Sequence, residues 1–140
     1  MVRIANPATR STARFSEDDF WGVLALLDWE GTGQDEDVIA PAVAALAARG
    51  AKAIHGFEVL LRERLRALDT AAHAERMALA GAARHPSADR FLLARCWVIA
   101  RGRELFQQVL ADPTRLPVDG EFEALLWIGE RAAQRRAPLR

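Results

Sequence analysis

The sequence predicts an all-α fold, a single compact helical bundle of about six or seven helices. Apolar residues recur with the i, i+3, i+4, i+7 spacing of a helix face along most of the chain. Runs in which β-branched or aromatic residues alternate with polar ones, as in half-buried strands, are almost absent. Hydrophobic residues make up 51% of the chain and charged residues 27%, which is enough apolar surface for a packed core.

The 140-residue chain is expected to form one domain over residues 15–136, because no repeat, linker or low-complexity tract divides it. Residues 1–14 are rich in Arg, Ser and Thr and contain no acidic residue, a composition shared by transit peptides and disordered tails. The chain has 28 alanines and one lysine, a bias typical of GC-rich bacterial genomes, in which a transit peptide has no role. We therefore predict a disordered N-terminal tail at residues 1–14.

The first two helices are marked by acidic residues at their starts, which suit the positive end of a helix dipole. Helix one is predicted at about residues 17–28, where Ser16 and Asp19 form a capping-box pattern. Helix two is predicted at about residues 35–49, with Gly50 as its C-terminal stop.

Three more helices are predicted in the middle of the chain. They cover about residues 52–69, 71–83 and 88–101, and Ser87 is the expected N-cap of the third. The first of these three has a regular apolar face, formed by Ile54, Phe57, Leu61, Leu65 and Leu68.

Two further helices complete the bundle. Gly102 allows a bend into a sixth helix at about residues 103–111, and a proline-containing loop follows. The seventh helix is predicted from about Glu121 to Arg135, because apolar positions recur there with helical spacing and arginines occupy its C-terminal end.

Composition excludes several classes of function. The 19 basic and 19 acidic residues balance, which disfavours nucleic-acid binding, and no apolar run approaches the ~20 residues of a membrane span. The one cysteine, Cys96, cannot form a disulfide within the chain, and its apolar surroundings predict a buried, unreactive thiol. No secretory apolar region is present, so we expect a cytoplasmic protein.

No catalytic constellation, metal site or cofactor motif is evident. His55, His73 and His85 are scattered without metal-ligand spacing, so we predict no metal and no cofactor. The four tryptophans could line a ligand pocket, but in an alanine-rich chain they are expected to fill the core.

Residues 88–106 are nearly all apolar yet carry four arginines. Arg95 lies in the middle of this run, on a helix expected to be central in the bundle. We predict that Arg95 is mostly buried, that it is bonded to a carboxylate or to helix-end carbonyls, and that its aliphatic stem packs near Trp97 or its neighbours. In the alternative interpretation Asp89, Arg95 and Trp97 line a pocket for an anionic or planar ligand.

This stretch resembles a bacterial family catalogued as domain of unknown function 4240, and the similarity covers most of residues 15–135. The family pattern reads roughly G-G-x-S-D-D-x-F-x-x-F-R-x-W-L-I-x-x-G-R-x-x-F/Y, then L-x-D-P-x-x-L. The opening pair Phe20-Trp21 also matches. The residues that match in register are Ser87, Asp89, Phe91, Arg95, Trp97, Ile99, Gly102, Arg103, Phe106, Leu110, Asp112, Pro113 and Leu116.

The chain also departs from the family pattern. Arg84-His85 replace the paired glycines, Ala88 replaces the first aspartate and Ala94 replaces the second phenylalanine. Family members often carry Trp and Tyr on the preceding helix, where this chain has His73, Arg76 and Ala80. The resemblance implies a fold and no assigned reaction.

Together these features favour a non-catalytic protein-interaction or regulatory module of the bacterial cytoplasm, with an unknown protein partner. The alternative is a small-ligand-binding or enzymatic domain that uses the pocket around Asp89, Arg95 and Trp97. A binder of the immunity or antitoxin type is a third hypothesis, and it requires an acidic or apolar patch that faces the partner.

Overall fold

The computed structural model describes residues 14–30, 34–80 and 88–136. These residues form seven α-helices and two short 3₁₀ helices and contain no strand, which confirms the all-α prediction. The helices are α1 Glu17–Leu24, α2 Asp35–Arg49, α3 Ala51–Ala67, α4 Ala71–Ala80, α5 Ala88–Ala100, α6 Arg103–Ala111 and α7 Ile128–Arg136, with 3₁₀ helices at Pro113–Arg115 and Glu123–Trp127. Residues 1–13 of the predicted tail, the last three of the predicted fourth helix, and Ser87 lie outside the described residues.

Local signals determine where most helices begin and end. The hydroxyl of Ser16 accepts from the backbone N–H of Asp19 at 3.0 Å, and the Asp19 carboxylate accepts from the N–H of Ser16 at 2.8 Å. This is the capping box that the sequence predicts. Gly50 and Gly102 have φ of 106° and 116°, which only glycine adopts easily, and each separates two consecutive helices.

Two predicted boundaries are wrong, and tertiary hydrogen bonds explain both. Helix α1 ends at Leu24 rather than near residue 28, because the N–H of Asp28 donates to the carbonyl of Val38 in α2 at 2.9 Å. The last helix begins at Ile128 rather than near residue 121, because the N–H of Phe122 donates to Leu93 of α5 at 3.3 Å. A 3₁₀ helix occupies the intervening residues.

The core runs through the whole described bundle. Helices α2 and α7 share the most extensive helix–helix contact, and α3 packs against both. Large side chains that are fully buried include Phe20, Leu46, Phe57, Ile99, Leu125 and Ile128. Helix α5 is central, since Ala94, Cys96, Val98 and Ile99 are all fully buried. This burial fixes the directions in which its remaining side chains reach the surface.

Candidate functional site

Arg95 is used to hold the fold together. Its Nη1 donates to the carbonyl oxygen of Leu65 in the last turn of α3 at 2.9 Å, and its guanidinium carbon lies 4.4 Å from the centroid of the Phe91 ring. The predicted bond to a helix-end carbonyl is therefore confirmed. Within the described residues no carboxylate pairs with Arg95, and its guanidinium lies over the ring of Phe91.

The structure does not bring Asp89, Arg95 and Trp97 together. At 3.6 residues per turn, Arg95 and Trp97 leave α5 on nearly opposite sides, and Asp89 is about 120° from Arg95. Asp89 is exposed in the first turn of α5. Trp97 packs so closely on Gly120 that a β-carbon there would come within 2.6 Å of the indole. Three separate environments therefore surround the three residues.

Trp97 instead takes part in a tryptophan–arginine cluster, formed by Trp29, Trp97 and Arg101. The guanidinium carbon of Arg101 lies 4.0 Å from the ring centroid of Trp29 and 4.9 Å from that of Trp97. Trp29 in turn contacts Phe122, with ring centroids 4.9 Å apart. Both indoles are partly buried, and Arg101 is exposed. The cluster is therefore an exposed arginine that contacts two partly buried indoles.

Two parts of the chain meet to build this cluster. Trp29 is in the turn that follows α1, which the Asp28–Val38 hydrogen bond ties to α2. Trp97 is in the last turn of α5, and Arg101, four residues later, is the first residue after that helix. The backbone N–H of Arg101 donates to the carbonyls of Trp97 and Val98 at 3.1 and 3.2 Å, so the arginine lies at the negative end of the helix dipole.

The Arg101 guanidinium has no polar partner in the described part of the chain. It forms neither a hydrogen bond nor an ion pair there, and its only side-chain contacts of note are the two indole rings. Arg49, Arg103 and Arg131 have carboxylate partners. Arg62, Arg66 and Arg135 are exposed and, like Arg101, have no polar partner among the described residues, but they contact no aromatic ring there. Arg101 therefore keeps its N–H donors available, although its orientation is fixed.

A second group of charges joins α1 to α3 and α6. Glu17 accepts from the indole N–H of Trp21 at 3.3 Å, and its carboxylate pairs with Arg64 at 2.9 Å. The indole hydrogen bond is the main cause, with Arg64 contributing, of a pKa of Glu17 below its usual range. Arg103 pairs with Asp18 at 3.1 Å. Arg103, which matches the family pattern, thus connects α6 to α1, and Trp21, which also matches it, contacts Phe106 of α6 with ring centroids 5.5 Å apart.

Two side chains that could carry out nucleophilic or acid–base chemistry, Cys96 and His73, are buried in the core. Cys96 is fully buried, and desolvation raises the pKa of its thiol to about 12. His73 is 2% exposed; its Nδ1 shares a hydrogen bond with the Thr70 hydroxyl at 2.6 Å, and its Nε2 donates to the Val109 carbonyl at 2.8 Å. Cys96 confirms the prediction of a buried thiol.

No group of three or more His, Cys, Asp or Glu side chains within the described ranges is arranged to hold a metal ion. In the same ranges, no helix is both long enough and apolar enough to cross a membrane. His85 lies outside the described residues.

Two open grooves border α7. One, of about 380 Å³, lies against α2 and includes Glu36, Ile39, Val43 and Arg131. The other, of about 340 Å³, lies against α3 and is lined by Ala51, Ile54, His55, Glu58, Ala133 and Arg136. Neither groove includes Asp89, Arg95 or Trp97.

The cluster was missed at the level of sequence because Trp29 is 68 residues before Trp97 in the chain. Its arrangement depends on the fold of the turn after α1. The sequence does indicate the contact between Trp97 and Arg101, because the two residues have the i, i+4 spacing of helical neighbours. The expectation that the tryptophans fill the core overlooked that spacing.

The fold and this surface define a small all-α protein with a stacked arginine at its surface. The chain belongs to the DUF4240 family, described as a protein of unknown function, whose model matches residues 15–135. The resemblance carried by the α5–α6 region is therefore confirmed. No significant match was found among curated proteins or solved structures.

Proposed function

We propose that this protein is a non-catalytic protein-interaction module and that the tryptophan–arginine cluster is the centre of its contact surface. The observation that carries the proposal is that Arg101 lies against two indoles and has no polar partner among the described residues. Tryptophan and arginine are the residues most enriched at the energetic centres of protein interfaces.

The rigidity of the cluster supports this proposal. Binding usually costs about 0.5–1.5 kcal/mol for each flexible side chain that becomes ordered. Arg101 is already stacked on Trp29 and Trp97, and Trp29 is braced by Phe122. The side chain of Arg101 is therefore ordered already when the protein folds. Less conformational entropy is lost when a partner binds, and the binding free energy is more favourable for the same contacts.

The state of the reactive side chains favours a binding role over a catalytic one. The thiol of Cys96 is buried and held in its protonated form, and both ring nitrogens of His73 are occupied within the core. The pocket hypothesis requires Arg95, but its Nη1 donates a hydrogen bond to the carbonyl oxygen of Leu65. These groups serve the fold rather than a reaction centre.

A bacterial cytoplasmic location is part of the proposal. The alanine-rich, lysine-poor composition is typical of GC-rich bacteria. A lone, unpaired cysteine suits a reducing compartment.

Site-specific photo-crosslinking in the native host tests the proposal. A photoreactive amino acid is placed at Asp119, an exposed position next to Gly120, and a matched probe at Glu75 on α4. Helix α4 packs mainly against the 3₁₀ helix Pro113–Arg115, which is not part of the cluster. We expect one discrete protein adduct from position 119 that is weakened by Trp29→Ala and is absent from position 75. Equal adducts from both positions, or none from position 119, would overturn the proposal.

A further inference from the structure

We infer that Arg101 receives a single carboxylate from the partner, presented by a segment that is otherwise uncharged or basic; this inference rests on the proposed function. A guanidinium is planar, and its N–H donors lie in that plane. The two indoles lie over Arg101 at 4.0 and 4.9 Å. The N–H donors of Arg101 have no hydrogen-bond or ion-pair partner among the described residues, so they remain available to a carboxylate of the partner.

The same molecule contains this arrangement with its carboxylate in place. Arg131 stacks on Trp127 with the guanidinium carbon 5.2 Å from the ring centroid. At the same time its Nε and Nη2 donate to Glu36 Oε2 at 3.2 and 2.7 Å. A tryptophan-stacked arginine therefore binds a carboxylate through its edge in this protein. Arg101 lies against two indole rings and has no such carboxylate among the described residues.

The charges around the cluster define the partner further. Asp28 and Glu30 flank Trp29 in the chain, and Asp119 precedes the glycine that packs on Trp97; all three are exposed. Glu121 is paired with Arg90 at 3.8 Å. These carboxylates repel a dense run of negative charge, so an acidic tract or a nucleic-acid backbone fits poorly. One carboxylate among apolar or basic residues satisfies Arg101 without that repulsion.

The apolar surroundings indicate what should neighbour the carboxylate. Trp29 and Trp97 are only partly buried, and Phe122 extends the aromatic surface beneath Trp29. Because Gly120 has no side chain, the backbone lies directly against the Trp97 indole. We therefore expect an apolar residue beside the carboxylate to pack on the exposed indole edges.

Titration of ¹⁵N-labelled protein with synthetic peptides tests the inference. The probe is a short blocked peptide with one glutamate between leucines, and the matched peptide has glutamine instead. The readouts are the Arg101 Nε–H signal and the indole N–H signals of Trp29 and Trp97. We expect the glutamate peptide to bind at least ~10-fold more tightly than the glutamine peptide. This ratio corresponds to ~1.4 kcal/mol of binding free energy from the charged contact. Equal binding of the two peptides would overturn the inference.

Three further ligands distinguish a side-chain carboxylate from a terminal one and a single carboxylate from dense negative charge. The glutamine peptide with a free C-terminus tests whether a terminal carboxylate serves as well as a side chain. A polyglutamate peptide and a short DNA duplex present dense negative charge. Tighter binding of either of these than of the single-glutamate peptide contradicts the inference.

Variants assign the effect to Arg101. Arg101→Gln should abolish the preference for glutamate, and Arg101→Lys should weaken it several-fold, because lysine lacks the two-pronged geometry. Arg131→Gln is the matched control, since it removes another tryptophan-stacked arginine, and it should leave the preference unchanged. A preference that persists in Arg101→Gln contradicts the inference.

The crosslinking experiment distinguishes this inference from the proposed function. If the adduct at position 119 survives in Arg101→Gln, the interaction module stands and the carboxylate contact fails. If the peptide preference is seen but no adduct forms in the host, the carboxylate site stands and the protein-interaction role fails.

Discussion

Arg95 in the middle of α5 donates a hydrogen bond to the carbonyl oxygen of Leu65 in the last turn of α3, across 2.9 Å. Carbonyls at a helix C-terminus have no partner within their own helix. The arginine therefore satisfies one of these groups and brings a positive charge to the negative end of the α3 dipole. The stack on Phe91 holds the guanidinium in that position.

Removing this side chain should weaken the fold. We expect Arg95→Ala to lower the free energy of unfolding by about 1.5–3 kcal/mol, the range for a hydrogen bond to a charged group. Arg62→Ala, at an exposed position on α3, is the control and should stay within ~0.5 kcal/mol of the parent. Urea unfolding measures both variants. A cost as small as that of the control would show that the Leu65 contact contributes nothing.

Two glycines should respond to alanine with opposite signs. Gly102 has φ of 116°, so Gly102→Ala should destabilise the protein by about 1–2 kcal/mol. Gly22 is exposed within α1 and nothing lies within 4 Å of an added β-carbon, so Gly22→Ala should stabilise it by about 0.5–1 kcal/mol. Thermal unfolding of the two variants measures the difference, and a shift of the same sign in both would refute the explanation.

The capping carboxylate of Asp19 should make stability depend on pH. Its pKa lies below the usual 3.8, mainly because it accepts the backbone N–H of Ser16 and further because of Arg49. A depressed folded-state pKa contributes stability above the unfolded pKa, and this contribution is lost as the pH falls through the folded value. Asp19→Asn should therefore destabilise the protein at pH 7 and match the parent near pH 2.

The control for this pH effect is Gln107→Ala, at an exposed and uncharged position on α6. Its stability relative to the parent should change little between pH 7 and pH 2. Melting temperatures across this range measure both variants, and NMR titration gives the Asp19 pKa directly. A constant difference between Asp19→Asn and the parent at every pH would contradict the linkage.

The thiol of Cys96 should be inert in the native protein. At pH 8, a pKa of about 12 leaves a thiolate fraction more than ~1,000-fold below that of an ordinary cysteine. A thiol reagent such as Ellman's should therefore react with the urea-unfolded chain and leave the folded protein nearly untouched. If the folded protein reacts with the reagent as fast as the unfolded chain does, the core around helix α5 opens readily.

The sequence was sufficient where a helix boundary depends on neighbouring residues. Asp35–Arg49 and Arg103–Ala111 were predicted with the bounds that the structure has, because acidic starts and glycine stops act locally. The end of α1 and the start of α7 depend instead on the hydrogen bonds of Asp28 and Phe122 to other helices. Those partners are distant in the chain, and no local pattern reveals them.

The surface site was less predictable than the fold. Arg95 was singled out because it interrupts an apolar run, and its helix-end partner followed from the cost of burying an unpaired charge. Arg101 sits in an ordinary position for an arginine, beyond the end of a helix. Its significance comes from Trp29, which only the folded turn after α1 brings over it.

The two glycine corners, the short connections at Gly50 and Gly102 that each join two helices, restrict where the chain can gain or lose residues. Only Gly50 separates α2 from α3, and only Arg101 and Gly102 separate α5 from α6, so neither corner has spare length. A residue inserted at either corner would have to extend one of the two helices. The apolar face beyond the insertion would then rotate by about 100° away from the core. Insertions and deletions among related chains should therefore collect at residues 117–121, between the two 3₁₀ helices, while both corners keep their spacing.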